Sequence, residues 1–351
     1  FPNGTNFIPT THNIILDTEN DISSIYSYDE FRKFNQKINN SRINSDYFHE
    51  NQFWIYKKIK PFIISEDIKV SKNLVFDKPV QINAGVTIFL ENNASIIFKN
   101  NLQILGNKNN PVKFIADSDN NFGTIAIVGN KSANSIINHT IFKNGSGAMN
   151  IENIDFISMF SLNDTNNVKI SNVSFENNKK FDDLIHIIYS NNIKLQNVTI
   201  KNANLDAIDI DLSEVEIKNL NIRNAGNDCL DLMTSKVKVV NSKLKNCGDK
   251  GVSVGEDSKL ELKGTEIEYS KIGIEVKDNS EATIAETIFN NNDKQINSYT
   301  KNWMYGMDGA NIYINDCEFI SSSINKFKTV DETKIQIVDS TFEGGIEKSE
   351  N

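Results

Sequence analysis

Acidic residues recur in this chain at a spacing that stacks them. The segments DLIHI from Asp183, DAIDI from Asp206, DCLDL from Asp228 and KGVSV from Lys250 align without gaps at a repeat of about 22 residues, and IGIEV from Ile272 continues the series. One column reads Asp183, Asp206, Asp228 and Lys250, and a second reads His186, Asp209, Asp231, Ser253 and Glu275. Asp211 and Lys277 fall in a third column, two residues further on. Asp209 sits between Ile208 and Ile210, so the second column is expected to point away from an apolar interior. Carboxylates stacked about 5 Å apart repel by roughly 1 kcal/mol in water and roughly 3 kcal/mol at an effective dielectric near 20. Solvation, a bound cation such as calcium, the ammonium groups of Lys250 and Lys277, or a raised carboxyl pKa must offset that repulsion.

Each offset implies a chemistry. A carboxyl that keeps its proton supplies the general acid that glycoside hydrolysis takes from one of two carboxyl groups. Proton abstraction beside a sugar carboxylate, the step shared by polysaccharide lyases and C5-epimerases, would use Lys250 or Lys277 as base and Tyr299 or Tyr305 as proton donor. Asp206, Asp209, Asp228 and Asp231 would then act as calcium ligands or electrostatic supports. The candidate catalytic residues are therefore Asp206, Asp228, Asp231, Lys250 and Lys277, with Asp209 and Asp231 as candidate calcium ligands and no other cofactor expected. Solvated turn aspartates account for the same columns without any ligand, and His186 reads as a structural ladder residue.

A binding surface is suggested beside them. The coil beginning at Ala282 is about 30 residues long instead of about 22, and its excess carries Tyr299, Lys301, Trp303 and Tyr305. Aromatic faces and a cation on a projecting loop suit sugar rings, so these four join Asp209 and Asp249 as candidate substrate-binding residues. An aromatic mini-core beneath the loop explains the same composition.

The elements that position these groups are short strands. A second block recurs in every period: VKISNVSF from Val168, IKLQNVTI from Ile193, VEIKNLNI from Val215, VKVVNSKL from Val237, and on to IQIVDSTF from Ile335. Its first, third and eighth positions are apolar, which reads as a strand with one face buried. Its fifth position carries Asn172, Asn197, Asn219 and Asn241, a ladder suited to left-handed backbone and to amide hydrogen bonds along a stack. A period this short leaves no room for a helix beside two or three strands, so the expected fold is all-β, a right-handed parallel β-helix. Its expected extent is residues 61–345, after an N-terminal arm and cap over 1–60 with a short capping helix from Ser27 to about Asn39 and the Trp54 segment, and before a tail at 346–351.

Composition bounds the partners. The 351 residues carry a formal charge of −9, which argues against sequence-independent binding of nucleic acid. No apolar run is long enough to span a membrane. The chain starts at Phe1, and the expectation is that a secretory signal or anchor once preceded it. Cys229, Cys247 and Cys317 show no zinc spacing and are expected to pack as small buried hydrophobes.

Two resemblances extend this reading. The run NLDAIDI from Asn204, NDCLDL from Asn227, GDKGVSVG from Gly248 and GIEVKD from Gly273 resembles, in order and spacing, the NTD, DD, GHG and RIK motifs of polygalacturonase-type glycoside hydrolases. On that resemblance Asp206 and Asp228 match family carboxylates and Lys277 the family lysine. Asn227 replaces the first acid of the pair, Asp249–Lys250 stands where a histidine is expected, and Glu275 stands in place of arginine. The closer resemblance, over about residues 140–345, is to the β-helix segments that accompany bacterial CotH-like kinase proteins, through LDAIDIDLSEVEI, GNDCLDLMTSKVKV and GDKGVSVGEDSKLEL. It implies an exported protein: secreted, at the cell surface or periplasmic. The expected function is binding and modification of polysaccharide by a lyase, C5-epimerase or hydrolase reaction. The alternative is a non-catalytic scaffold or adhesion module with a protein partner.

Overall fold

The computed structural model describes residues 60–306, 309–321, 325–329 and 333–350, together with the strands Ile14–Asp17 and Ser23–Tyr26. The chain divides into two units, Phe1–Lys60 and Pro61–Asn351. In the first unit the two short strands pair antiparallel, Ile14 opposite Tyr26 and Asp17 opposite Ser23. The helix expected from Ser27 and the Trp54 segment lie outside the described residues.

The second unit is a right-handed parallel β-helix. Its 12-stranded sheet runs in strict sequence order from Leu74–Phe76 to Ile346–Glu350, one strand from each coil, while a 20-stranded sheet closes the other sides of the coils. Strand follows strand in parallel register because each coil presents its apolar residues at the same places. Ile208 and Ile210 lie beside Leu230 and Leu232, which lie beside Val252 and Val254, and all six are buried. Each such side chain contributes on the order of 1.5–3 kcal/mol when removed from water. The eighth position of the recurring block fills the core with aromatic stacks: Phe114, Phe142 and Phe175 have ring centroids 4.9 and 4.8 Å apart, and Phe289, Phe319 and Phe342 repeat the arrangement at 4.9 Å. Among the described residues the only helical pieces are two 3-10 turns, Asn130–Ser132 and Trp303–Tyr305.

Polar ladders hold the corners. Asn197 donates its amide to Asn172 at 2.9 Å and Asn219 to Asn197 at 2.8 Å, and all three have positive φ, between 54° and 57°. A second ladder that the sequence reading passed over joins Asn144, Asn177, Asn202, Asn224 and Asn246 in the same way. A third is built from serine: the backbone N–H groups of Ser190, Ser213, Ser235 and Ser258 each donate to the hydroxyl one coil further on, at 2.9–3.1 Å. The asparagine ladders run along the exposed side of the coils, whereas the serine ladder satisfies buried backbone groups.

One sequence expectation is corrected. Cys229 and Cys247 are not separate thiols but a disulfide, with Cα atoms 5.4 Å apart, and only Cys317 is a free, buried cysteine. The alignment missed it because the two residues come from different columns, which the corner of one coil brings together.

Two outcomes follow. Asn219→Ala should cost about 1–2 kcal/mol, since a residue with a Cβ pays for left-handed backbone, whereas Asn219→Gly should cost less. Urea unfolding midpoints separate them: an alanine variant as stable as the glycine variant would remove backbone strain from the account, and a glycine variant as stable as the wild type would remove the ladder. Alkylation of the unfolded, unreduced chain should label Cys317 alone, and reduction should destabilise the fold by about 2–4 kcal/mol, as expected for closure of a short loop. Labelling of all three cysteines would refute the pairing.

Candidate functional site

Six strands of the 12-stranded sheet carry the acidic columns: Asp183–Ile188, Ile208–Asp211, Leu230–Met233, Lys250–Gly255, Ile272–Lys277 and Lys294–Tyr299. Their register places His186, Asp209, Asp231, Ser253, Glu275 and Asn297 side by side. At a strand spacing of about 4.8 Å this row extends roughly 24 Å along the solenoid. Alternation turns the row outward, since its flanking residues fill the core, yet Asp209 and Asp231 are half-buried and Glu275 is buried.

Asp183, Asp206 and Asp228 stand where the chain turns into these strands, and all three are buried. Two of them act as corner clamps. Asp206 Oδ1 accepts the backbone N–H of Asp228 at 2.7 Å and the Asn227 amide at 2.9 Å, and Asp228 Oδ1 accepts the backbone N–H of Lys250 at 2.9 Å. Burial nevertheless outweighs these bonds, raising Asp206 to about 6 and Asp228, despite the Lys250 charge, to about 7. Asp183 and Asp209 are raised further, by burial first and then by neighbouring carboxylates, led by Asp182 at Asp183 and by Asp183 at Asp209.

The next coils bring in the opposite charge. Lys250 Nζ lies 2.6 Å from Asp249, 3.4 Å from Asp228 and 4.0 Å from Glu275. Lys277 is buried and folds back over Gly255, donating to the Ser253 hydroxyl at 3.1 Å and lying 3.5 Å from Glu275. Glu275 also accepts the Asn297 amide at 2.7 Å and the Tyr299 hydroxyl at 3.5 Å. Burial pulls both ammonium groups down. At Lys250 the Asp249 hydrogen bond and the Asp228 and Glu275 charges overcome it, and at Lys277 the Glu275, Asp231 and Glu256 charges do, so both end raised. A lysine with a raised pKa is a poor base and a good fixed positive charge. Tyr299 keeps its proton, because burial and the Glu275 charge raise its pKa.

The long coil is tied down at its root. Asp278 Oδ1 accepts the backbone N–H groups of Lys301 and Asn302 at 2.6 and 2.7 Å. Beyond that anchor Trp303 is 76% exposed and Met304 72% exposed, so the aromatic mini-core expected as an alternative does not form around Trp303; Tyr305 is half-buried. Tyr299 and Lys301 reach the charged face, Tyr299 through Glu275 and Lys301 through the field it exerts on Glu256.

The structure thus gathers Asp206, Asp209, Asp228, Asp231, Asp249, Lys250, Lys277 and Tyr299 on one face. Glu275 as the hub between the lysines, Asn297 as its partner and Asp278 as the loop anchor were not among the sequence candidates. Register alone could have found Asn297, which continues the His186 column, but Asp278 has no columnar signature.

A family model described as right handed beta helix region matches residues 158–302 and 232–347. Among solved structures, the chain is similar to the catalytic domain of a GH87 alpha-1,3-glucanase variant in complex with tetrasaccharides, at 14% identity, covering 77% of this chain and 61% of that one, with a TM-score of 0.51. It is also similar to the A-module of the Azotobacter vinelandii mannuronan C-5 epimerase AlgE4, at 10% identity, covering 82% and 88%, with a TM-score of 0.48. A third likeness is the enzymatically active domain of bacteriophage CBA120 tailspike protein 2, at 12% identity, covering 76% and 43%, with a TM-score of 0.46. At such identities the likeness is one of fold, and the chain spans about three fifths of the glucanase domain's length. No curated protein matches the chain.

The carboxyl environment sets a pH signature. An unfolded aspartate titrates near pH 4, whereas Asp228 holds its proton to about 7 in the fold. The native chain therefore binds more protons than the unfolded one across that window, and this group's contribution to stability is present below about pH 4 and is lost as pH rises through about 7. Asp228→Asn removes the titration. Its melting temperature relative to the wild type should climb between pH 4 and 8 and stay level below pH 4; a difference that is flat or falling across the window would contradict a buried, proton-retaining Asp228.

Proposed function

Because the chain belongs to the right handed beta helix family, whose coils offer a long ribbed face, we propose that this face binds an extended polysaccharide and performs acid–base chemistry on it. The observation that carries the reading is the Asp206–Asp228 pair: two carboxyls on adjacent coils, linked through the Asp228 N–H, with pKa values of about 6 and 7. A proton that leaves near neutrality suits a general acid or base at physiological pH. Asp209 and Asp231, on the next row of the face, would hydrogen-bond sugar hydroxyls or ligate calcium, and Tyr299, whose hydroxyl donates to Glu275, would supply a proton further along the face.

Charge favours a neutral sugar over a uronic acid. Carboxyls outnumber the two lysines on the face, and Lys250 and Lys277 are already engaged by Asp228, Asp249 and Glu275. An anionic polymer would meet net repulsion there unless calcium bound first. Hydrolysis of a neutral glycan is therefore the preferred reaction, and lyase or C5-epimerase chemistry requires the calcium-loaded form. The glucanase domain of similar fold was solved with tetrasaccharides, which puts alpha-1,3-glucan first among the polymers to test. Trp303 and Met304, exposed at the tip of the long coil, favour a second reading in which that tip holds a protein partner or stacks on the polymer outside the reacting sugar. The Cys229–Cys247 disulfide supports an oxidising location, at the cell surface, in the periplasm or outside the cell.

A panel of neutral and acidic polysaccharides, with and without calcium, tests this by reducing ends, unsaturated-product absorbance and C5-proton exchange. Reducing ends from a neutral glucan are expected, with a bell-shaped pH profile and a loss of about 100-fold or more in Asp206→Asn and in Asp228→Asn. Turnover that survives both substitutions would exclude the pair from catalysis. Absence of both turnover and binding across the panel would leave the adhesion-module reading.

A further inference from the structure

The acidic end of the face has a feature that polymer binding does not use. Asp183 is only 1% exposed, and its Oδ2 is buried with no hydrogen-bond partner. A buried polar oxygen left so is costly whichever protonation state the carboxyl takes, because buried polar groups are normally hydrogen-bonded or coordinated. The oxygen does have company: a carboxylate oxygen of Asp183, a ring nitrogen of His186 and a carboxylate oxygen of Asp209 all lie within 4.8 Å of one another. His186 Nε2 is 3.8 Å from Asp209 Oδ2 and 3.2 Å from Asp211 Oδ2. Asp183 also belongs to a second such group, with Asp182 and Asp206.

Compensation along the Asp column is uneven. Lys250 neutralises Asp228, where the column ends. Among the described residues no lysine or arginine forms an ion pair with Asp183, Asp206, Asp209 or Asp211, and His186 is their one basic neighbour. Asp183, whose Oδ2 is buried without a partner, thus shares a cluster of candidate ligand atoms with one imidazole and one further carboxyl group.

We propose that Asp183, His186 and Asp209 bind a transition-metal dication, with Asp211 either as a fourth ligand or as the group that orients the imidazole. The imidazole decides the class. Calcium takes six to eight oxygen ligands and rarely nitrogen, whereas zinc and its neighbours accept mixed imidazole and carboxylate donors at about 2.0–2.2 Å. Ligands held at that radius lie within about 4 Å of one another, so small side-chain rotations close the site. Asp231 belongs to neither group of three, so a calcium ion held by Asp209 and Asp231 would compete with this site for Asp209. The ion would cancel the charge that stacking concentrates at this end and lock three side chains from two adjacent coils.

Calorimetric titration of the chelator-treated full chain with Zn2+, Mn2+ and Ca2+ tests the assignment without any polysaccharide, so its outcome is separate from that of the activity panel. One Zn2+ per chain is expected, with Ca2+ much weaker. His186→Ala and Asp183→Asn should each weaken Zn2+ by at least about 10–100-fold, the loss that even an outer partner causes. His139→Asn, which places asparagine at a left-handed ladder position, should leave binding unchanged. If a site variant loses its far-UV circular dichroism, the Co2+-loaded wild-type chain decides through a hyperfine-shifted imidazole N–H resonance from a single histidine. Zn2+ affinity that persists in both site variants, a Ca2+ preference, or no binding at micromolar metal would overturn the proposal.

Discussion

The β-helix follows from one constraint: each strand residue lies about 4.8 Å from its counterpart in the neighbouring coil. A side chain is therefore judged by how it interacts with a near copy of itself. Apolar residues pass easily, as the Phe114–Phe142–Phe175 stack shows. Asparagine and serine pass because each is both donor and acceptor, so one residue's amide or hydroxyl serves the next without an unpaired end inside the ladder. Ladders of this kind hold neighbouring coils in register while the coil between two rungs varies in length, since 25 residues separate Asn172 from Asn197 and 22 separate Asn197 from Asn219.

Aspartate fails the same test. An ionised carboxylate only accepts, and its copy repels it. The chain nevertheless keeps aspartates in adjacent coils of two columns, and it manages them in three ways. Backbone N–H groups occupy one oxygen of Asp206 and one of Asp228. Lysine enters the column at position 250 and again beside it at 277, drawing Glu275 into a charge cluster. Burial, with the charge of their acidic neighbours, raises the pKa of Asp183 and Asp209. The result is a face that grades from carboxyls without a lysine partner at one end to paired lysines at the other.

The same stacking holds the candidate groups in place. Asp206, Asp228 and Lys250 are joined through each other's backbone, so movement of one carboxylate requires movement of a coil. The long coil contributes differently. Asp278 fixes its root and leaves Trp303 in solvent, so rigidity ends at the edge of the ribbed surface and reach begins.

The sequence by itself determined the winding. The period near 22, the alternation in VEIKNLNI and the Asn172–Asn241 column specify a parallel β-helix, because a solenoid writes its geometry as repetition. It also determined which acids share a column, since register is arithmetic on the repeat. Burial was not arithmetic. Lys277 and Glu275 sit in columns that alternation turns outward, yet both are buried, because Lys277 folds over the space that Gly255 leaves open. The Cys229–Cys247 bond and the Asp278 anchor likewise join residues from different columns. Contacts within a column are legible in one dimension. Contacts between columns depend on how sharply each corner turns, and only the tertiary structure decides that.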